Sequence, residues 1–313
     1  MPQNRRNFLK NAAIVTGSAL FVTNQSAVSP QAVAQTARAG KPVEVFINQY
    51  TVSTFYAREG INLIQNLDSC FAELKAAGLA GFEATAGQPG ELDQYITALA
   101  KQDMQLRSVY VSANLHDANT CDAEIQRVIA VAERAKAAGT KIVVLNPAAK
   151  AGKSDAELNL QNVSLNNLGA ALRELGMKLS MHYHTTELEF AAREFHSFMC
   201  DTSPENVSLC FDVHWSFRAS GNSAVSAYNH AKLYADRVSE LHLRQSQDGT
   251  WTETFVTKAD IDYIKTLAIL RQNKGFGDCH VVLEQAPENG TPKTLKPLEV
   301  FKQSVKAVRE MFS

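Results

Sequence analysis

Residues 207–215 read Val207-Ser208-Leu209-Cys210-Phe211-Asp212-Val213-His214-Trp215. Six residues of strand character stop on a carboxylate and run straight into an imidazole and an indole. A short apolar run bounded by turn signals is the mark of a buried strand, and its last residues lie at one end of a sheet. The same form recurs on either side. Lys178–Tyr183 carries His182 and Tyr183 at its end, with His184, Thr185, Thr186, Glu187 and Glu189 beyond. Val238–Leu243 carries Glu240 and His242 and continues into Arg244 and Gln245, and His280–Glu284 ends Leu283-Glu284, followed by Gln285. Four consecutive runs thus bring imidazole or carboxylate groups to their C-terminal ends.

Four earlier runs have the same character: Val43–Tyr50, Gly81–Ala84, Leu106–Val111 and Lys141–Leu145. Between the runs lie stretches with helical apolar spacing. Asn62–Ala77 places Leu63, Ile64, Leu67, Phe71 and Leu74 on one face, and Ala123–Ala138 does the same with Ile125, Val128, Ile129, Val131 and Ala132. Gly78, Gly139 and Gly176 stand where a left-handed residue would close a helix. Eight strand-then-helix units over residues 43–313 predict an α/β fold, a single-domain (β/α)8 TIM barrel, which needs roughly 250 residues. A doubly wound open sheet is the alternative. No G-x-G-x-x-G or G-x-x-x-x-G-K follows any run, so nothing marks a nucleotide phosphate site.

The chain has 313 residues, 45% hydrophobic and 20% charged, which is enough apolar material for a large core. Lys+Arg 31 against Asp+Glu 32 leaves no basic excess for a nucleic-acid backbone, so no nucleic-acid partner is expected. At the N-terminus, Arg5-Arg6-Asn7-Phe8-Leu9-Lys10 precedes an uncharged run from Ala12 to Val22 and the small triplet Ala32-Val33-Ala34. That order reads as a signal peptide over 1–34, followed by a disordered segment over 35–42. The apolar run is about half the roughly 20 residues of a membrane span, so no stable membrane anchor is expected. The paired arginines resemble a twin-arginine export signal, which implies a periplasmic or secreted protein. Cys70, Cys121, Cys200, Cys210 and Cys279 show no C-x-x-C spacing and read chiefly as buried small side chains.

Ionisable groups gathered in one mouth repel one another and lose water, a cost that a divalent cation removes. Mixed imidazole and carboxylate ligands suit a first-row ion better than calcium. On His182-Tyr183-His184 with Glu187, Phe211-Asp212-Val213-His214-Trp215, Leu241-His242-Leu243-Arg244, Leu283-Glu284-Gln285 and Asp260-Ile261-Asp262-Tyr263, the chain resembles the xylose-isomerase-like TIM-barrel family of sugar phosphate isomerases and epimerases over residues 43–312. The resemblance implies one divalent metal ion (Mn, Zn, Co or Mg) with Asp212, His242 and Glu284 as ligands. The fourth ligand in the family is a glutamate. Here that position is His182, so either His182 or Glu187 takes the role. The family's Lys-Asp pair after the strand-seven histidine is Arg244-Gln245 in this chain.

Such a metal polarises a keto-sugar for isomerisation, epimerisation or elimination through an enediolate. Glu187 and Glu284 are the candidate proton-transfer groups, and His184, His214, Arg244 and Trp215 the candidate sugar-binding groups. Tyr50, Phe217 and Trp251 could stack on the ring, with Glu83, Asn48 and Gln49 as weaker candidates. Arg244 could instead pair with Glu240 or Asp248. The leading expectation is a metal-dependent sugar isomerase or epimerase taking a sugar or keto-sugar. A lyase or hydrolase-like enzyme cleaving 3-keto-glycosides and a non-catalytic sugar- or metal-binding barrel are the alternatives. Exposed apolar residues on the helices could support a homodimer.

Overall fold

The computed structural model describes residues 42–273, 276 and 279–313. The export segment expected over 1–34, and 35–41 after it, lie outside them.

The eight expected runs form a closed barrel of parallel strands: β1 (Phe46–Asn48), β2 (Gly81–Thr85), β3 (Gln105–Ala113), β4 (Ile142–Pro147), β5 (Lys178–Met181), β6 (Val207–Asp212), β7 (Val238–Leu243) and β8 (His280–Leu283). Each strand pairs with its sequence neighbours, and β8 closes on β1 through Phe46 and Val282. The helices are α1 (Gln49–Arg58), α2 (Leu67–Ala76), α3 (Asp93–Lys101), α4 (Cys121–Lys136), α5 (Asp155–Glu174), α6 (Glu189–Cys200), α7 (Val213–Ala219), α8 (Ala224–Tyr234), α9 (Tyr263–Arg271) and α10 (Pro297–Phe312). Among the described residues no helix is long and apolar enough to cross a membrane.

The strand period of two divides each strand between a helix-facing side and a barrel interior. Val143, Leu145, Leu179, Met181, Leu209, Phe211, Leu241 and Leu243 join one apolar core that includes helix residues. On β5, β6 and β7 their alternates are polar or small, whereas on β4 Ile142 and Val144 make a second, small apolar cluster with Cys210. Ser180 Oγ lies 2.8 Å from Ser239 Oγ, although β5 and β7 are not neighbours, so that contact crosses the interior. Barrels of this kind are usually filled by branched aliphatic side chains. The polar filling here is a departure, and it continues upward into the mouth.

Two helices start directly on a strand end. Asn48 closes β1 and caps α1 by accepting from Thr51 N, and Asp212 closes β6 and caps α7 by accepting from His214 N and Trp215 N. The Asn48 cap shortens the run expected over Val43–Tyr50: its β-favouring residues from Tyr50 to Phe55 are helical, because Val52 and Phe55 pack into the core there. The helix expected over Asn62–Ala77 is a 3-10 turn at Ile64–Asn66 followed by α2. Gly78, Gly139 and Gly176 have φ of +91°, +92° and +74°, the left-handed closure expected of them. All five cysteines are free; Cys70, Cys121 and Cys210 are buried, Cys279 is partly buried and Cys200 is exposed.

Candidate metal centre

β5, β6, β7 and β8 end side by side, and His182, Asp212, His242 and Glu284 meet there. One ligand atom from each lies within 4.8 Å of the others, and all four residues are buried. His182 Nε2 stands 3.7 Å from Asp212 Oδ2 and 3.8 Å from Glu284 Oε2. His242 Nδ1 lies 2.6 Å from Glu284 Oε2. Ligands around one first-row ion stand about 3–4 Å apart, so small side-chain shifts suffice to seat a cation.

His182 Nε2 and Asp212 Oδ2 are buried without any hydrogen-bond partner. A buried polar atom left unpaired costs about 1–3 kcal/mol, and here a donor nitrogen and a carboxylate oxygen bear that cost facing each other. The other atom of each group is occupied. Asp212 Oδ1 caps α7. His182 Nδ1 lies 3.3 Å from Asn146 Oδ1 and 3.2 Å from Tyr110 Oη, an arrangement that keeps Nε2 turned to the mouth. The donor set therefore fits a divalent cation.

The sugar-binding candidates surround the same mouth. His184 makes edge contacts with the rings of His182 (4.7 Å) and Trp215 (5.1 Å). Burial lowers the pKa of His184 from 6.5 to about 3 and that of His214 to about 2, so both imidazoles are neutral near pH 7. His214 Nε2 lies 3.1 Å from Ser246 Oγ, which donates to Asp260 Oδ2 at 2.5 Å. His214 Nδ1, Trp215 Nε1 and Arg244 Nε are buried and unpartnered.

Arg244 pairs with neither Glu240 nor Asp248. Glu240 points into the barrel, and Arg244 Nη2 instead meets Glu288 Oε1 at 2.8 Å, a carboxylate that also accepts from Tyr50 Oη. Arg218 and Arg244 each lie over the Trp251 ring, 4.2 and 4.3 Å from its centroid, and Phe217 is buried in the core. Gln245 and Gln285, which sequence reasoning left without a task, tie the loops together: Gln285 Oε1 accepts from Gln245 N, and Gln245 Nε2 donates to Ile261 O.

Glu187 lies in a 3-10 turn after β5 and is not part of the four-residue cluster. Its Oε2 accepts from His184 N at 2.6 Å, and its Oε1 is buried and unpartnered. Burial raises its pKa, with the charge of Glu194 adding to the effect.

Residues 71–311 match the family described as xylose isomerase-like TIM barrel. The chain belongs to that family. A curated relative, an inosose dehydratase of Clostridium perfringens strain 13, is 26% identical over 257 residues, spanning 72% of this chain and 84% of its own. Among solved structures, a sugar phosphate isomerase/epimerase from Parabacteroides distasonis superposes with a TM-score of 0.68 at 13% identity, covering 87% of this chain and 95% of its own. A D-allulose 3-epimerase from Methylomonas sp., in complex with D-allulose, gives 0.65 at 13% identity, with 87% and 98% covered. At such identities the structures establish the fold alone. The xylose isomerase-like barrel is the scaffold on which the mouth is built.

A cavity of about 510 Å³ lies elsewhere, lined by Leu188, His196, Ser216 and His230 among others, and it contains none of the four cluster residues. His230 Nδ1 lies 2.9 Å from Ser216 Oγ, and burial, then the nearby His196, lowers its pKa from 6.5 to about 4. Above pH 6.5 the imidazole is neutral in both folded and unfolded chains. Between 6.5 and 4 only the unfolded chain takes up the proton, so stability falls as pH falls, by up to about 1.4 kcal/mol per pH unit. His230→Asn, which cannot titrate, is expected to reduce the fall of denaturant-unfolding stability between pH 6.5 and 4.5 by up to about 1.4 kcal/mol per pH unit, leaving the part due to the other buried imidazoles. An unchanged slope would remove His230 from the account.

Proposed function

We propose that this protein is a divalent-metal-dependent sugar isomerase or epimerase, working by proton abstraction next to a carbonyl and an enediolate intermediate. The observation that carries the reading is the pair of unpartnered ligand atoms, His182 Nε2 and Asp212 Oδ2, facing each other among four buried ligands at the strand ends. Family membership supports it, as do relatives named for sugar epimerisation.

In this reading His182, Asp212, His242 and Glu284 hold the ion. When bound, it polarises the substrate carbonyl and lowers the cost of charge that develops as the adjacent carbon loses its proton. Glu284 and Glu187 are assigned the proton transfers; a carboxyl raised by burial, as Glu187 is, suits the step that returns a proton. His184 and His214, neutral at physiological pH, hydrogen-bond sugar hydroxyls. Trp215 Nε1–H and Arg244 Nε–H, donors without partners, are assigned to further sugar oxygens.

The inosose dehydratase relative favours a second reading, in which the same proton abstraction ends in loss of water or of an aglycone. Incubating the metal-loaded protein with a panel of ketoses, inososes and 3-keto-glycosides in deuterium oxide separates the two. Isomerisation or epimerisation gives a product of unchanged composition that carries solvent deuterium. Elimination gives a product lighter by a water or an aglycone. Metal-loaded protein that exchanges no hydrogen and makes no product would leave a binding barrel. We also propose, from Arg5 to Lys10 and the segment after them, that the protein is exported by a twin-arginine-type route to the periplasm or beyond.

A further inference from the structure

Two acids sit deeper in the barrel than the cluster. Glu83 on β2 and Glu240 on β7 are fully buried, and their strands are separated in the barrel by β1 and β8. Contacts between them therefore cross the interior. They converge on His242, whose Nε2 stands 2.9 Å from Glu240 Oε1 and 3.3 Å from Glu83 Oε1. The opposite nitrogen, Nδ1, faces Glu284 at the mouth. Glu83 is anchored in turn by Ser108, whose Oγ donates to Oε2 at 2.7 Å, and Cys210 Sγ lies 3.8 Å from Glu240 Oε1.

Stability does not account for this arrangement. Replacing buried ionic groups with apolar side chains of similar volume is often neutral or stabilising, and aliphatic filling is the usual solution in such barrels.

We propose that Glu83 and Glu240 are positioning residues for the metal centre: Glu240 Oε1 accepts from His242 Nε2–H, Glu83 Oε1 stands 3.3 Å from the same nitrogen with no hydrogen-bond partner of its own, and together they fix the ring with Nδ1 directed at the ion. The inference rests on the proposed metal dependence. Carboxylates behind a ligating imidazole set its tautomer and strengthen it as a donor, and their loss typically weakens metal binding about 10–100-fold.

The test titrates cobalt(II) into metal-free wild type, Glu240→Gln, Glu83→Gln and the double variant, in competition with a chelator. Elemental analysis gives the stoichiometry, and thermal unfolding of each metal-free form gives its stability. The expected result is one ion per chain throughout, affinity about 10–100-fold weaker in the double variant, and a metal-free unfolding midpoint that is unchanged or higher. Unchanged affinity with a lower midpoint would make the pair merely structural. Two ions per chain would make Glu240 and Cys210 ligands of a second ion, since their atoms and one of His242 lie within 4.8 Å of one another. If a variant fails to fold, the histidine nitrogen resonances of zinc-loaded wild type decide instead: Nδ1 bound with the proton on Nε2 supports the proposal, and Nε2 bound overturns it. Wild type that binds no ion overturns the metal reading itself, whereas wild type that binds one ion as tightly as the variants do overturns this inference alone.

Discussion

Asp212→Asn is expected to weaken divalent-metal binding by more than about 100-fold while leaving the fold intact, a larger loss than removal of an outer partner causes. The two oxygens of Asp212 have separate tasks. Oδ1 accepts from His214 N at 2.9 Å and Trp215 N at 3.0 Å, and Oδ2 faces His182 without a partner. Asparagine keeps an acceptor for the cap and loses the negative charge that a cation needs. Asp212→Ala removes both, and is expected to lose about 1 kcal/mol of stability in addition to the metal. Chelator competition and denaturant unfolding on the two variants separate the tasks. An asparagine variant that binds metal like wild type would remove Asp212 from the ligand set.

Gly81→Ala is expected to destabilise the fold strongly, by about 3 kcal/mol or more. Gly81 opens β2 beside β1 and β3, and a Cβ there would stand 2.1 Å from Gln105 O and 2.5 Å from the Phe46 ring. The first of these is backbone, so relief requires moving a barrel strand rather than turning a side chain. The denaturant midpoint reads the effect directly. An alanine variant as stable as wild type would mean that β1, β2 and β3 do not meet in this register.

How far the sequence discloses the molecule depends on the range of the interactions concerned. Val207–Asp212 and Val238–Leu243 are legible residue for residue, because each is an apolar run between breakers and its alternation decides what faces the helices. β1 is overextended in a sequence reading, since Tyr50, Thr51 and Val52 favour a strand until the Asn48 cap and core packing make them helical. The strand-end residues His182, Asp212, His242 and Glu284 are legible as a group because parallel strands bring their C-terminal ends to one face.

The support behind that group is not legible. Glu83 is far from Glu240 in the chain and on a non-adjacent strand, so their meeting at His242 follows from barrel closure and register rather than from spacing. The Arg244–Glu288 pair joins the ends of β7 and β8 in the same way, and local reading favours the nearer acids Glu240 and Asp248. The place of Glu187, held on the His184 backbone outside the cluster, depends on a single 3-10 turn that composition does not signal.

The metal content of wild-type protein, read by elemental analysis after exchange with a divalent-ion mixture and exhaustive dialysis, tests the proposed metal centre directly. Close to one first-row or magnesium ion per chain is expected, lost in Asp212→Ala. Protein that retains no ion from any of the mixtures, with its fold intact, would contradict it.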